Sequence, residues 1–109
     1  MGFLNLEDIQ QKVIVKGYKA RFVHSKKMTT AYWEVEAGAE LPLHSHEHEQ
    51  VSNVTKGKFE FNLDGEVKIL EPGDVVVIPS DVPHSGKAIS ECLIIDTFYP
   101  IREDYREIK

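Results

Sequence analysis

Through the middle of the chain, apolar residues recur at every second position. Phe59, Phe61 and Leu63 alternate with Glu60 and Asn62, and Val67 and Ile69 with Glu66 and Lys68; Cys92, Ile94, Asp96 and Phe98 share one parity against Leu93, Ile95 and Thr97. A period of two marks strands with one buried face. From Lys12 onward such stretches follow one another, separated by Gly, Pro and Asp-Gly. This predicts strands at Val13–Val15, Arg21–His24, Thr30–Glu36, Leu43–His46, Gln50–Thr55, Lys58–Leu63, Glu66–Leu70, Val75–Ile78, His84–Ala88 and Cys92–Phe98. Ahead of them, Asn5–Gln11 predicts a short helical turn with Asn5 as its cap and Glu7 and Asp8 in its first turn. Asp64-Gly65 predicts a two-residue hairpin, because both central positions need positive φ, and Pro72-Gly73 a type II turn. Pro79 and Pro83 bracket an irregular loop, and the charged tail from Ile101 to Lys109 is expected on the surface. The fold class is all-β, a sandwich or barrel.

At 109 residues, with no linker or repeat, the chain reads as one domain over 1–109. A domain of this size buries roughly 65% of its unfolded surface, enough to fold without disulfides or metal, so a metal here would serve function. A hydrophobic share of 41% excludes a disordered chain. Thirteen Lys and Arg against eighteen Asp and Glu leave a net charge of -5 and no basic stripe, which argues against nucleic acid as a partner. Cys92 is the single cysteine; it excludes an intramolecular disulfide and a thiolate zinc site, and fits a reducing compartment. No apolar run is long enough to span a membrane. The first residues carry acids rather than a signal core, and Leu6 stands where a myristoylation signal wants Ser or Thr, so the expected location is the cytoplasm.

Histidine placement sharpens the picture. Of five histidines, His44, His46 and His48 fall together and His84 follows the proline-bounded loop. On an extended strand residues two apart share a face, so His44 and His46 present half of a divalent-metal site, or else a pair of partly exposed side chains on a solvated edge. His48 reads as an exposed side chain or a donor behind the ligands, and His24 as an ordinary surface or core histidine.

The wider pattern, Gly38-x5-His44-x-His46-x3-Gln50-x6-Gly57 followed by Gly73-x5-Pro79-x4-His84, resembles the two-motif signature of the cupin superfamily across residues 38–57 and 73–88. That resemblance implies a small double-stranded β-helix, or jelly-roll, barrel. It also implies one divalent transition metal, such as Zn, Ni, Mn or Fe, held by His44, His46, Gln50 and His84. Asp81 departs from the family's usual Gly and Ala88 from its frequent Asn. Glu49 competes with Gln50, but in an extended register it faces the other way. A neutral amide ligand leaves the full charge on the metal and favours Lewis-acid chemistry over the oxidations served by two-His-one-carboxylate sites.

The run from Gly38 to Gln50, with Asp96-x-Phe98-x3-Arg102 near the end, resembles one branch, the pectin-degradation cupins, which linearise unsaturated monouronates released by pectate and alginate lyases. What this implies is a small sugar-acid substrate, Asp96 moving protons, Arg102 binding the substrate carboxylate and Phe98 walling the ring. From the residues alone, Asp96 points either into the barrel or outward, and Arg102 either enters the pocket or pairs with Glu103 or Asp104 in solvent. Two other functions fit a cupin: a metal-dependent dioxygenase, favoured if Glu49 were the ligand, and a non-catalytic sugar-binding protein. Tyr32, Trp33, Phe59 and Phe61 are expected to fill the core. A homodimer is expected, with Val13–Val15 as a candidate exchanged edge strand.

Overall fold

The computed structural model describes residues 2–108. Its ten strands are β1 (Lys12–Val15), β2 (Tyr18–His24), β3 (Thr29–Val35), β4 (Glu40–His44), β5 (Glu49–Lys56), β6 (Phe59–Leu63), β7 (Glu66–Leu70), β8 (Val75–Ile78), β9 (His84–Ala88) and β10 (Cys92–Tyr99). They form a six-stranded sheet in the order β1-β2-β3-β10-β5-β8 and a four-stranded sheet in the order β4-β9-β6-β7, all pairings antiparallel. A 3-10 turn at Leu6–Asp8 precedes them, capped as expected by Asn5, whose Oδ1 accepts from the Glu7 N–H at 2.9 Å. A four-residue helix, α1 (Glu103–Arg106), follows.

The inner faces carry the alternating residues. Burial along β10 reads strictly in and out, with Cys92, Ile94, Asp96 and Phe98 inside. β10 lies between β3 and β5, and their registers stack its inward residues into rows: Trp33, Ile94 and Val54; then Ala31, Asp96 and Ser52; then Thr29, Phe98 and Gln50. Phe59, Phe61, Leu70 and Ala88 close the core from the four-stranded sheet. The Asp64-Gly65 hairpin has φ of 49° and 93°, the doubly left-handed turn that the pair predicts. Asp81 also sits at positive φ, 64°, a left-handed conformation that its short polar side chain tolerates.

The structure corrects two expectations. The strand expected at Leu43–His46 runs instead from Glu40 to His44. Pro42 has no N–H to give the ladder, the register with β9 shifts between Leu41 and His44, and after His44 the chain crosses to the other sheet. Strand β1, the candidate exchanged strand, pairs with β2 of its own chain through a turn at Gly17, φ 83°. The tail does not simply lie on the surface. The backbone N–H of Arg102 donates to buried Thr29 Oγ1 at 2.9 Å, and the Tyr105 ring packs on Phe22 with centroids 4.7 Å apart.

Candidate metal centre and its pocket

His44 and His84 are direct cross-strand partners on β4 and β9, so the four-stranded sheet presents their rings together, 4.2 Å between centroids. His46 arrives from the crossing segment, held where its carbonyl accepts from the Asp81 N–H at 2.8 Å. Its ring centroid lies 4.9 Å from His84 and 5.8 Å from His44. The ring nitrogens of the three histidines that could bind one ion lie within 4.8 Å of one another.

Each imidazole is oriented from behind by a backbone carbonyl. Nδ1 of His44 meets Pro42 O at 2.7 Å, Nδ1 of His46 meets His48 O at 2.9 Å, and Nδ1 of His84 meets Val82 O at 2.9 Å. A carbonyl can only accept, so each Nδ1 carries the proton and each Nε2 is left with a lone pair. This is how metal-binding histidines are commonly fixed. His84 Nε2 is buried with no protein partner, a costly arrangement that a bound cation would relieve. His46 Nε2 and Gln50 Oε1 stand 3.0 Å apart. With both as acceptors they do not attract each other, but about 3 Å is the separation of adjacent ligands each about 2.1 Å from one ion. The donor set fits a divalent transition metal. Burial lowers the affinity of His46 and His84 for a proton, that of His84 to a pKa of about 4, which keeps their lone pairs available.

Gln50 is buried on β5, whereas Glu49 is exposed on the opposite face. His48 contributes its carbonyl; its ring is half-buried beside His46. His24 lies elsewhere, Nδ1 at 2.8 Å from Thr29 Oγ1.

Next to this cluster opens a cavity of about 60 Å³, room for several waters, lined among others by His44, His46, His84, Gln50, Asp96, Phe98 and Arg102. Asp96 points inward from the centre of the larger sheet and is only 7% exposed. Burial pushes its carboxyl up to about 6, with Ser52, Gln50, Trp33 and the Arg102 charge partly opposing. Among the described residues neither its Oδ1 nor the nearby indole N–H of Trp33 has a hydrogen-bond partner. Phe98 is 2% exposed and its ring meets the edge of His46 at 5.8 Å. Arg102 is 8% exposed, not the solvated tail residue that was one of its two readings, yet it does pair with Asp104. Trp33, Phe59 and Phe61 both fill the core and line the cavity, while Tyr32 on the other parity does neither. Sequence reasoning missed Ser52 and Tyr105, and set the Arg102–Asp104 pair in solvent rather than at the cavity. The inward parity that Ser52 shares with Gln50 was the one available signal.

Comparison with known proteins places the chain. A family model described as the cupin domain matches residues 31–98. Over 64 residues the chain is 36% identical to the pectin degradation protein KdgF of Dickeya dadantii (strain 3937), a match covering 57% of this chain and 58% of that one. Among solved structures, an RmlC-like cupin from Shewanella frigidimarina NCIMB 400 superposes with a TM-score of 0.91 at 33% identity, covering 96% of both chains. The structure of KdgF from Halomonas sp. superposes with a TM-score of 0.90 at 30% identity, covering 96% of this chain and 98% of that one.

Proposed function

The chain belongs to the cupin family, whose domain it matches over residues 31–98, and from that membership we propose that it converts cyclic 4,5-unsaturated monouronates into linear 4-deoxy-5-ketouronates. The similarity to the two KdgF proteins supports this assignment. The observation that carries it is the meeting, around one cavity, of three lone-pair-bearing imidazoles, a carboxyl with a free oxygen and a guanidinium.

In this reading His44, His46, Gln50 and His84 hold a divalent transition metal. Such an ion supplies Lewis-acid polarisation of a substrate oxygen. Arg102 binds the carboxylate of the sugar acid, for which a planar guanidinium offers two parallel hydrogen bonds. Phe98, between Arg102 and His46, gives the ring an apolar wall and keeps water from that side. Asp96 moves one proton. As a carboxylate it takes the hydrogen of the C1 hydroxyl while the C1–O5 bond opens and O5 departs as the C5 enolate, and as the acid it delivers that hydrogen to C4, turning the enolate into a ketone. The lone thiol, Cys92, is buried and supports a reducing compartment; we place the protein in the cytoplasm, as a homodimer.

The test follows the ultraviolet absorbance of a 4,5-unsaturated monouronate with metal-loaded protein. Loss of the conjugated double bond should outpace the spontaneous reaction and fall to background after chelation and in Asp96→Asn. A metal-loaded sample that does not accelerate the loss refutes the assignment. If Asp96→Asn binds uronate normally and the wild type binds without turnover, the protein is a sugar-binding cupin instead.

A further inference from the structure

Arg102 is held in an unusual way for a residue assigned to an incoming carboxylate. Its Nε donates to Asp104 Oδ1 at 3.0 Å and its Nη2 to Asp104 Oδ2 at 2.8 Å, so one whole edge of the guanidinium is already matched by a carboxylate of its own chain. Its Cζ lies over two aromatic rings, 4.7 Å from the Phe98 centroid and 4.0 Å from that of Tyr105, the two rings set 76° to one another. Burial works against its charge, but the hydrogen bond and charge of Asp104 more than offset this and raise its pKa; Asp104 is correspondingly held below the usual carboxylate range.

These contacts do different jobs. Stacking on an aromatic face fixes the height and tilt of a guanidinium but not its rotation within its own plane, because the attraction comes from a broad ring quadrupole. A bidentate carboxylate fixes that rotation, since two parallel N–H···O bonds survive in only one orientation. With Nε and one N–H of Nη2 engaged, the end-on edge, Nη1 with the second N–H of Nη2, is left unmatched. Arg102 lines the cavity and Asp104 does not, and the Asp104 side chain is 56% exposed.

We propose that Asp104 is a positioning residue, which locks Arg102 side-on so that the end-on edge of the guanidinium meets the carboxylate of a sugar-acid ligand. The two-residue spacing serves this purpose: the Arg102 backbone is pinned at Thr29, and α1 brings Asp104 back beneath the guanidinium, with the Arg106 N–H donating to Arg102 O at 3.1 Å. Asp104 touches no substrate and acts through Arg102. The inference rests on the proposed sugar-acid function and is separable from it by experiment.

The test is calorimetric titration of metal-loaded protein with D-galacturonate, a saturated monouronate that cannot react, alongside steady-state kinetics with the unsaturated substrate. Asp104→Asn should weaken galacturonate binding about tenfold, Asp104→Glu should recover part of the loss, and Arg102→Lys should lose at least as much as Asp104→Asn. In turnover, Asp104→Asn should raise KM by a similar factor with kcat within about twofold, the signature of lost uniform binding. Unchanged or tighter galacturonate binding by Asp104→Asn overturns the proposal, the latter showing that Asp104 competes with the ligand; so does a wild type that binds no galacturonate. If galacturonate binding follows Asp104 while the unsaturated uronate is not turned over, the reaction assignment falls and the positioning role stands.

Discussion

Replacing Asp96 with Asn should stabilise the metal-free protein at neutral and alkaline pH while abolishing turnover. The carboxyl is 7% exposed and burial raises its pKa from 3.8 to about 6. A shift of about two units at 1.36 kcal/mol each puts the cost of ionising Asp96 in the folded state at about 3 kcal/mol. The sign follows from proton counting. The folded state binds this proton more tightly than the unfolded state, so the cost is absent below pH 3.8, grows as pH rises between about 4 and 6, and is present in full above that. An Asn amide fills the same space without charge but turns an N–H₂ toward neighbours that donate, so a net gain of about 1–3 kcal/mol is expected at pH 8. Urea unfolding of chelated protein, read by the fluorescence of the single Trp33 and by circular dichroism, should show the midpoint rising by about 1 M at pH 8 and by little or nothing at pH 4. Chelation is essential, since a nearby cation would favour the carboxylate and shrink the gain. A variant no more stable than wild type at pH 8, or equally stabilised at both pH values, would refute the claim that Asp96 is a strained buried acid.

Three further outcomes follow from the geometry. His84→Ala should leave the far-ultraviolet spectrum of the folded barrel intact and lower bound metal per chain, measured after dialysis, by at least tenfold; full metal content would remove His84 from the ligand set. Gly57→Ala should cost more than about 2 kcal/mol, because at φ 86° its Cβ would come within 2.1 Å of Glu91 O, whereas Gly38→Ala, at φ 83° with nothing within 4 Å, should cost about 1 kcal/mol; thermal melts that rank the two alike would count against steric crowding at Gly57. Light scattering at micromolar concentration should report the mass of two chains, and a single-chain mass would contradict the homodimer.

Much of this architecture was legible because β-strands write their packing into parity. The in-out alternation of β10 and the placement of Gln50 rather than Glu49 inside both follow from a period of two, and the Asp64-Gly65 turn from the conformational needs of two residues. The facing of Asp96 was not legible, since parity tells which residues share a side but not which side is the barrel interior. Only the placing of β10 between β3 and β5, with Ile94 and Phe98 flanking Asp96 in the core, decides it. His44 and His46 were expected to meet as neighbours on one strand; they meet although the strand ends at His44, because β9 brings His84 opposite and the Asp81 loop holds His46. The tail was only partly legible, for a different reason. Its charges suggested solvent, and only the resemblance brought Arg102 to the pocket; a guanidinium lying over Phe98 and Tyr105 and satisfied by Asp104 can be buried, and charge alone does not encode that combination.

The stacked rows of the larger sheet have a consequence for how the cavity can be reshaped. Thr29, Phe98 and Gln50 form the row at the histidines, Ala31, Asp96 and Ser52 the next, and Trp33, Ile94 and Val54 the third. Successive rows lie two residues apart, about 7 Å along each strand. Of these rows, Gln50 and Ser52 on β5 and Ile94, Asp96 and Phe98 on β10 line the cavity, whereas Thr29, Ala31 and Val54 do not. The wall beyond the histidine row is therefore written at alternate positions of two neighbouring strands, and a change at Ser52 or Ile94 reshapes the space one or two rows away while leaving Gln50 and the histidines where they are.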